Sequence, residues 1–190
     1  MRRLLPLLCT GLVLVACNKT GPSATTGEKP AAAPSNPTVT ETYTNETEGY
    51  SIRYPQGWIV QENVTLTTND TDYTGTSIVY PADEQKSTLL DSQVHIAMGE
   101  GACPSSEGYD VVTIGNRQWT RFIWGDAAAG NKYDGMTSFT DHDGNCYTVN
   151  FYLHSCNLGP DCGPDHSKPF DKASLIPSFE AILATFEFAS

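Results

Sequence analysis

Short stretches of alternating polarity, each stopped by a turn signal, constrain this 190-residue chain more than any other feature. Tyr50-Ser51-Ile52-Arg53-Tyr54 alternates and ends at Pro55-Gln56-Gly57, after which Trp58-Ile59-Val60 resumes an apolar run. Ser77 to Tyr80 stops at Pro81, and from Gln93 to Met98 the apolar Val94, Ile96 and Met98 share one face. A period of two marks strands with two unlike faces. Tyr109 to Ile114 and Arg117 to Trp124 flank Gly115-Asn116, and Tyr133 to Thr140 and Cys146 to His154 flank the polar run Asp141 to Asn145. Each pair predicts a hairpin, giving a mainly antiparallel meander. Most of the aromatics on these segments (Tyr50, Tyr54, Trp58, Trp119, Phe122, Trp124, Tyr147, Phe151, Tyr152) are expected in the core. Trp119 and Trp124 are an odd number of residues apart, so at most one points inward. The other is placed to line a groove for a ligand or partner.

One segment has helical spacing. Leu175, Ile176, Phe179, Ile182, Leu183 and Phe186 make an apolar stripe, with Ser174 as N-cap and Pro177 in the first turn. A sheet with one wet face and helical structure packed on the other predicts an α+β fold.

The N-terminus limits how much of the chain takes part. Met1-Arg2-Arg3 leads into an apolar run from Leu4 to Ala16. That is too short to cross a bilayer as a helix, which takes about 20 residues. Basic residues, a short apolar stretch and small residues at its end describe an export signal, residues 1–16. Leu14-Val15-Ala16-Cys17 resembles the lipobox of bacterial lipoproteins, in which cleavage leaves the cysteine as a lipid-bearing first residue. Cys17 is thus the expected lipidation site, palmitate among its acyl chains. Several chains on one residue anchor stably where one holds only marginally. Residues 17–41 are rich in Pro, Ala, Ser and Thr and read as a flexible tether. The folded domain is expected over 42–190. The expected location is extracytoplasmic and lipid-anchored. Asn18 is not the Asp that commonly signals inner-membrane retention, so the outer membrane is expected in a two-membrane cell and the cell membrane otherwise.

Export reclassifies the cysteines. Removing Cys9 with the signal and assigning Cys17 to lipid leaves Cys103, Cys146, Cys156 and Cys162. An even number in an oxidising compartment reads first as disulfides. Cys146 and Cys156 bracket an alternating strand whose ten steps span about 33 Å, whereas a disulfide needs Cα atoms within about 7 Å. Turn-capable residues separate Cys156 from Cys162. The expected pairs are Cys156–Cys162 and, by elimination, Cys103–Cys146. The competing reading is a zinc site from His154, Cys156, Cys162 and His166. The oxidising compartment and the wide C-x₅-C spacing weigh against it, so no metal or other cofactor is expected.

The chain carries 11 basic and 22 acidic residues, and losing Arg2 and Arg3 leaves 9 against 22, a net −13. Nucleic acid is excluded as a partner, since phosphate contacts need clustered Lys and Arg. The expected partners are the membrane, through the N-terminal lipid, and an envelope protein.

Two segments carry a family resemblance. GYSIRYPQGW (Gly49 to Trp58) and SFEAILATFEF (Ser178 to Phe188) resemble the two ends of PsbP-like domains, where an aromatic strand runs into a Pro-x-Gly-Trp turn and the chain closes with a helix and a Phe-x-Phe tail. IGNRQWTRFIWGDAAAGNKYDGMTSFTDHDGNCYTVNFYL is similar to the central hairpins of bacterial PsbP-like lipoproteins. The resemblance covers most of residues 47 to 188. It implies an antiparallel sheet with helices against it, and a non-enzymatic role like that of the plant photosystem II extrinsic subunits. The cysteine loop from Cys156 to Phe170 departs from the plant pattern.

The remaining motifs are weak. Asp141-x-Asp143-Gly144-Asn145 resembles a calcium loop only in part, lacking the distal bidentate Glu, and is explained by a polar turn. Asn45, Asn63 and Asn69 begin N-x-Thr sequons, which carry little weight under a bacterial lipoprotein signal. There is no G-x-S-x-G elbow, H-E-x-x-H pair or P-loop. The leading expectation is a membrane-tethered, non-enzymatic domain that binds or assembles an envelope partner. An extracytoplasmic small-ligand or metal-binding module comes second and a hydrolase third.

Overall fold

The structure is a computed structural model that describes residues 38–68, 70–81, 87–157, 162 and 169–189. The signal, Cys17, the tether up to residue 37, Asn69 and His166 lie outside the described residues.

Among the described residues the chain forms β1 (Val39–Asn45), β2 (Tyr50–Pro55), β3 (Ile59–Thr68), β4 (Thr71–Val79), β5 (Leu89–Glu100), β6 (Asp110–Ile114), β7 (Arg117–Ala128), β8 (Asn131–His142), β9 (Asn145–Cys156), α1 (Lys172–Leu183) and β10 (Glu187–Phe188). The strands build two antiparallel sheets, one ordered β1-β2-β10 and the other β3-β4-β5-β9-β8-β7-β6. The α+β expectation is therefore wrong: the fold is mostly β, with one short helix and no layer of helices. The reason lies in the hairpins, which are longer than the sequence suggests. Residues 125–132 look like a loop, yet Gly125 to Ala128 pair with Asn131 to Asp134, and only Ala129-Gly130 turn. Asp141 and His142 likewise pair with Cys146 and Asn145 around Asp143-Gly144. Both turns have two residues at positive φ, the geometry whose twist matches antiparallel strands. Turns this tight leave no room for a helix between β7 and β8 or between β8 and β9.

Two boundaries also move. Val39 to Glu41, assigned above to the tether, belong to β1, because Val39 pairs with Pro55 and Glu41 with Tyr54. The helix starts earlier than Ser174: Asp171 is its N-cap, accepting from the Ala173 N–H at 3.0 Å, which puts Pro177 inside the helix.

One face of the large sheet meets α1 and the small sheet. Phe179 stacks on Phe151 at 4.6 Å, and Phe186, just after the helix, stacks on Tyr50 at 5.4 Å and meets Trp119 edge-on. Tyr50, Ile52, Val94, Ile96, Val149 and Ile182 are fully buried around them. The two ends of the chain segment singled out above thus meet: Glu187 pairs with Ser51 and Phe188 with Tyr50. Phe188 lies between the Arg117 guanidinium, 3.9 Å from its centroid, and the His142 ring at 3.7 Å.

Among the described residues the other face has no helix against it and still buries Leu66, Ser77, His95, Thr137, Phe139 and Asn150. The sheet covers this face itself. Laid flat, β3 and β7 would stand about 24 Å apart at five strand spacings. Instead Thr67, Thr68 and Asp70 of the β3–β4 hairpin line one cleft together with Trp124 and Asp126 of β7. The bend occurs at Gly75. Pairing of β4 with β5 covers only Thr76 to Val79, and a Cβ at Gly75 would collide with the Ile96 carbonyl. A glycine there lets β4 press against β5 and swing its first half across the face.

Disulfides tie both ends of β9. Cys103 bonds Cys146, with Cα atoms 4.7 Å apart, and Cys156 bonds Cys162 at 5.3 Å. These are the pairs derived from strand length and spacing. The first joins the segment before β6 to the base of β9, where the Cys103 N–H also donates to Asp141 at 2.7 Å. Its separation of 43 residues corresponds to about 4 kcal/mol of loop-closure entropy removed from the unfolded chain. Cys103→Ser with Cys146→Ser should lower the unfolding free energy by about 2–4 kcal/mol in denaturant titration; an unchanged midpoint would refute this.

Candidate functional site

The covered face of the large sheet is ordered in cross-strand rows. Asp91, His154, Tyr133 and Asp126 stand opposite one another along β5, β9, β8 and β7. The next row is Gln93, Tyr152, Gly135 and Trp124, and the next His95, Asn150, Thr137 and Phe122. Tyr133 and Asp126 of the first row and Tyr152 and Trp124 of the second form the floor of a cleft of about 340 Å³, lined also by Thr67, Thr68 and Asp70. The β3–β4 hairpin forms its other wall.

Trp124 is placed by a glycine. A Cβ on Gly135 would fall 2.0 Å from Trp124 Cζ2 and 2.2 Å from Cε2, so the indole occupies the space a side chain would fill. Its Nε1–H donates to Thr137 Oγ1 at 3.1 Å, and the Thr137 hydroxyl donates to Asn150 Oδ1 at 2.6 Å. Packing and hydrogen bonding thus hold one side of the ring, while the half-buried indole lines the cleft. Tyr152 lies 6.3 Å from Trp124 at 43°, and Tyr133 lies 6.3 Å from Tyr152 at 35°. His154 stacks on Tyr133 at 4.7 Å, and its Nε2 lies 3.0 Å from Asn131 Oδ1.

The electrostatics are negative throughout. Asp70 and Asp126 line the cleft, and none of the described Lys or Arg side chains does. Asp126 turns one oxygen to the Ala127 N–H at 2.7 Å. Burial, then the charges of Asp91 and Tyr133, push the Tyr152 phenol up to about 12, so it is a neutral donor at physiological pH. Burial also raises the Asp91 carboxyl above its usual range, opposed by the Ser92 backbone N–H and by His154.

A Ser–His pair lies beside this floor, in the next row of the same face: Ser77 Oγ is 2.8 Å from His95 Nδ1, and His95 Nε2 is 2.9 Å from the Tyr73 carbonyl. A carbonyl only accepts, so Nε2 carries the proton and Nδ1 accepts from Ser77. Both residues are fully buried, and the outer nitrogen meets a peptide carbonyl rather than a carboxylate. The pair pins the folded-over half of β4 and offers no reachable nucleophile.

The other sequence-level candidates separate. Cys156 and Cys162 are bonded to each other and so are not thiolate ligands. His154 lies by the aromatic cleft, and no cluster of three or more metal-ligating side chains forms among the described residues. Asp141 is engaged by the Cys103 N–H and Asp143 lies 3.5 Å from His142, which makes that segment a hairpin turn. Asn45 forms an Asx-type turn with Glu48, accepting from its N–H at 3.0 Å. Trp119 is buried and Trp124 is on the opposite face, as their odd spacing requires. Asp70 and Asp126 were not legible as site residues, because only the bend at Gly75 brings them together.

No protein-family model and no curated protein matches this chain. A crystal structure of a Bacteroides thetaiotaomicron VPI-5482 protein at 1.50 Å resolution is similar at a TM-score of 0.47 and 12% identity, over 80% of this chain and 50% of that one. The chain thus spans about half the length of that protein.

Two outcomes follow from this geometry. Gly135→Ala should displace the indole, red-shift its emission and cost about 1–3 kcal/mol through overpacking; an unchanged spectrum and midpoint would contradict the placement. His95 is lowered by burial from 6.5 to about 4, so between these values the unfolded chain binds a proton that the folded chain refuses. Its contribution is complete above pH 6.5 and shrinks by about 3 kcal/mol as pH falls toward 4. Denaturant midpoints measured from pH 7 to 4.5 should fall for the native chain and flatten for His95→Gln.

Proposed function

We propose that this chain is a lipid-tethered, extracytoplasmic, non-enzymatic binding domain whose ligand enters the cleft of Trp124, Tyr133 and Tyr152. The observation that carries the reading is the preset indole. An aromatic face held by Gly135 and Thr137 and left open on a cleft costs little reorganisation when a ligand docks. The volume is at the small end of ligand pockets, roughly 300–1,000 Å³. Export and lipidation rest on Leu14-Val15-Ala16-Cys17, and two disulfides fit an oxidising compartment. No helix among the described residues is long and apolar enough to cross a membrane.

A second reading, an envelope protein partner, is favoured by the β6 edge, where Val111 is 57% exposed beside Tyr109 at 41%. The outer edge of a sheet presents unpaired backbone N–H and C=O groups to which a partner strand can add.

Labelled palmitate should be incorporated by the native chain and not by Cys17→Ser. Native mass spectrometry of full-length protein released from membranes should show a small bound molecule that is lost in Trp124→Ala. Equal spectra for the two proteins would remove the cleft from the proposal.

A further inference from the structure

We infer that the cleft is built for a small organic cation of the quaternary ammonium class, an inference that rests on the binding reading above. Three aromatic side chains line one space, Tyr133 with the His154 ring stacked on one of its faces, and the π-faces of Trp and Tyr attract cations, Trp most strongly. The rings are inclined to one another by 43° and 35°, so they do not form the single flat platform on which a planar ring would stack. Two carboxylates also line the space, Asp126 from β7 in the floor and Asp70 from the β3–β4 turn that faces it. No described guanidinium or ammonium lines the space to neutralise them. Arg121 is engaged by Glu180 at 3.0 Å and Lys172 by Asp134, both at the helix side of the sheet. The remaining liners, Thr67 and Thr68, add hydroxyls but no positive donor. A trimethylammonium head matches this set. Its methyl groups pack on the rings and its diffuse charge needs no hydrogen-bond acceptor, while the carboxylates supply the long-range field.

The test uses the full-length chain in a polyoxyethylene detergent free of choline headgroups, with Trp fluorescence and calorimetry as readouts. Choline is titrated against 3,3-dimethyl-1-butanol, which replaces the nitrogen with carbon at nearly the same shape. Choline should bind saturably at millimolar concentration or below and at least tenfold more tightly than the neutral analogue. Trp124→Phe should remove most of the fluorescence change, and Asp70→Asn with Asp126→Asn should weaken choline at least fivefold while near-UV circular dichroism stays native. Glycerophosphocholine separates the sources. Tighter binding than choline assigns a lipid headgroup and weaker binding a free solute, and either supports the inference. Equal affinity for the neutral analogue, or an affinity untouched by the double Asp variant in folded protein, overturns it. Uncharged maltotriose bound in a Trp124-dependent way, with choline inert, would overturn the cation and leave the binding reading standing. Trp124-independent signals from every probe would remove both.

Discussion

A seven-stranded sheet has two faces to shield, and the helix of this chain can shield part of one. That imbalance governs the architecture. One face packs on α1 and the three-stranded sheet through Phe151, Phe179, Phe186 and Tyr50. The other is shielded by the sheet's own edge, folded over at Gly75. Such a bend brings polar backbone into the interior, where an unmet donor or acceptor costs about 1–3 kcal/mol. His95 meets part of that demand by donating to the Tyr73 carbonyl while accepting from Ser77.

The same bend makes the cleft. Folding β3 and β4 across the face closes its middle over His95, Asn150 and Thr137, all fully buried, and leaves space at both ends. At one end, Ala102 and Pro104, beside the Cys103–Cys146 bond, line a smaller cleft with Tyr73, Phe139 and Thr148. At the other, the aromatic row stays accessible. There the Trp124–Thr137–Asn150 chain links the floor to the buried row beside it. The structural polar groups and the cleft-lining aromatics are therefore alternate uses of the same strands.

Much of this was legible beforehand because it depends on local spacing. Period two marked β2, β5 and β9, and the odd interval between Trp119 and Trp124 put them on opposite faces. The cysteine pairs followed from strand length, a one-dimensional property. The failures have a common source. The α+β expectation weighed one helical stripe and a resemblance that implies helices, while the strand readings stopped at Trp124 and resumed at Tyr133, since the Gly, Ala and Asp between have little strand preference. Pairing with β8 overrode that preference. Ser174 looked like a cap because it precedes the apolar stripe, but the helix begins where Asp171 can reach the Ala173 N–H.

What the sequence determines by itself is whatever neighbours along the chain decide: which residues alternate, where two-residue turns close, which cysteines lie within reach. It also carries the Leu14-Val15-Ala16-Cys17 motif on which the expected anchoring rests. What only the tertiary structure decides is which distant segments share a space. Asp70 and Asp126 are 56 positions apart in the numbering and meet across one cleft. Nothing local to either announces it, because their proximity comes from a sheet bending at Gly75 to bury a face that no helix covers.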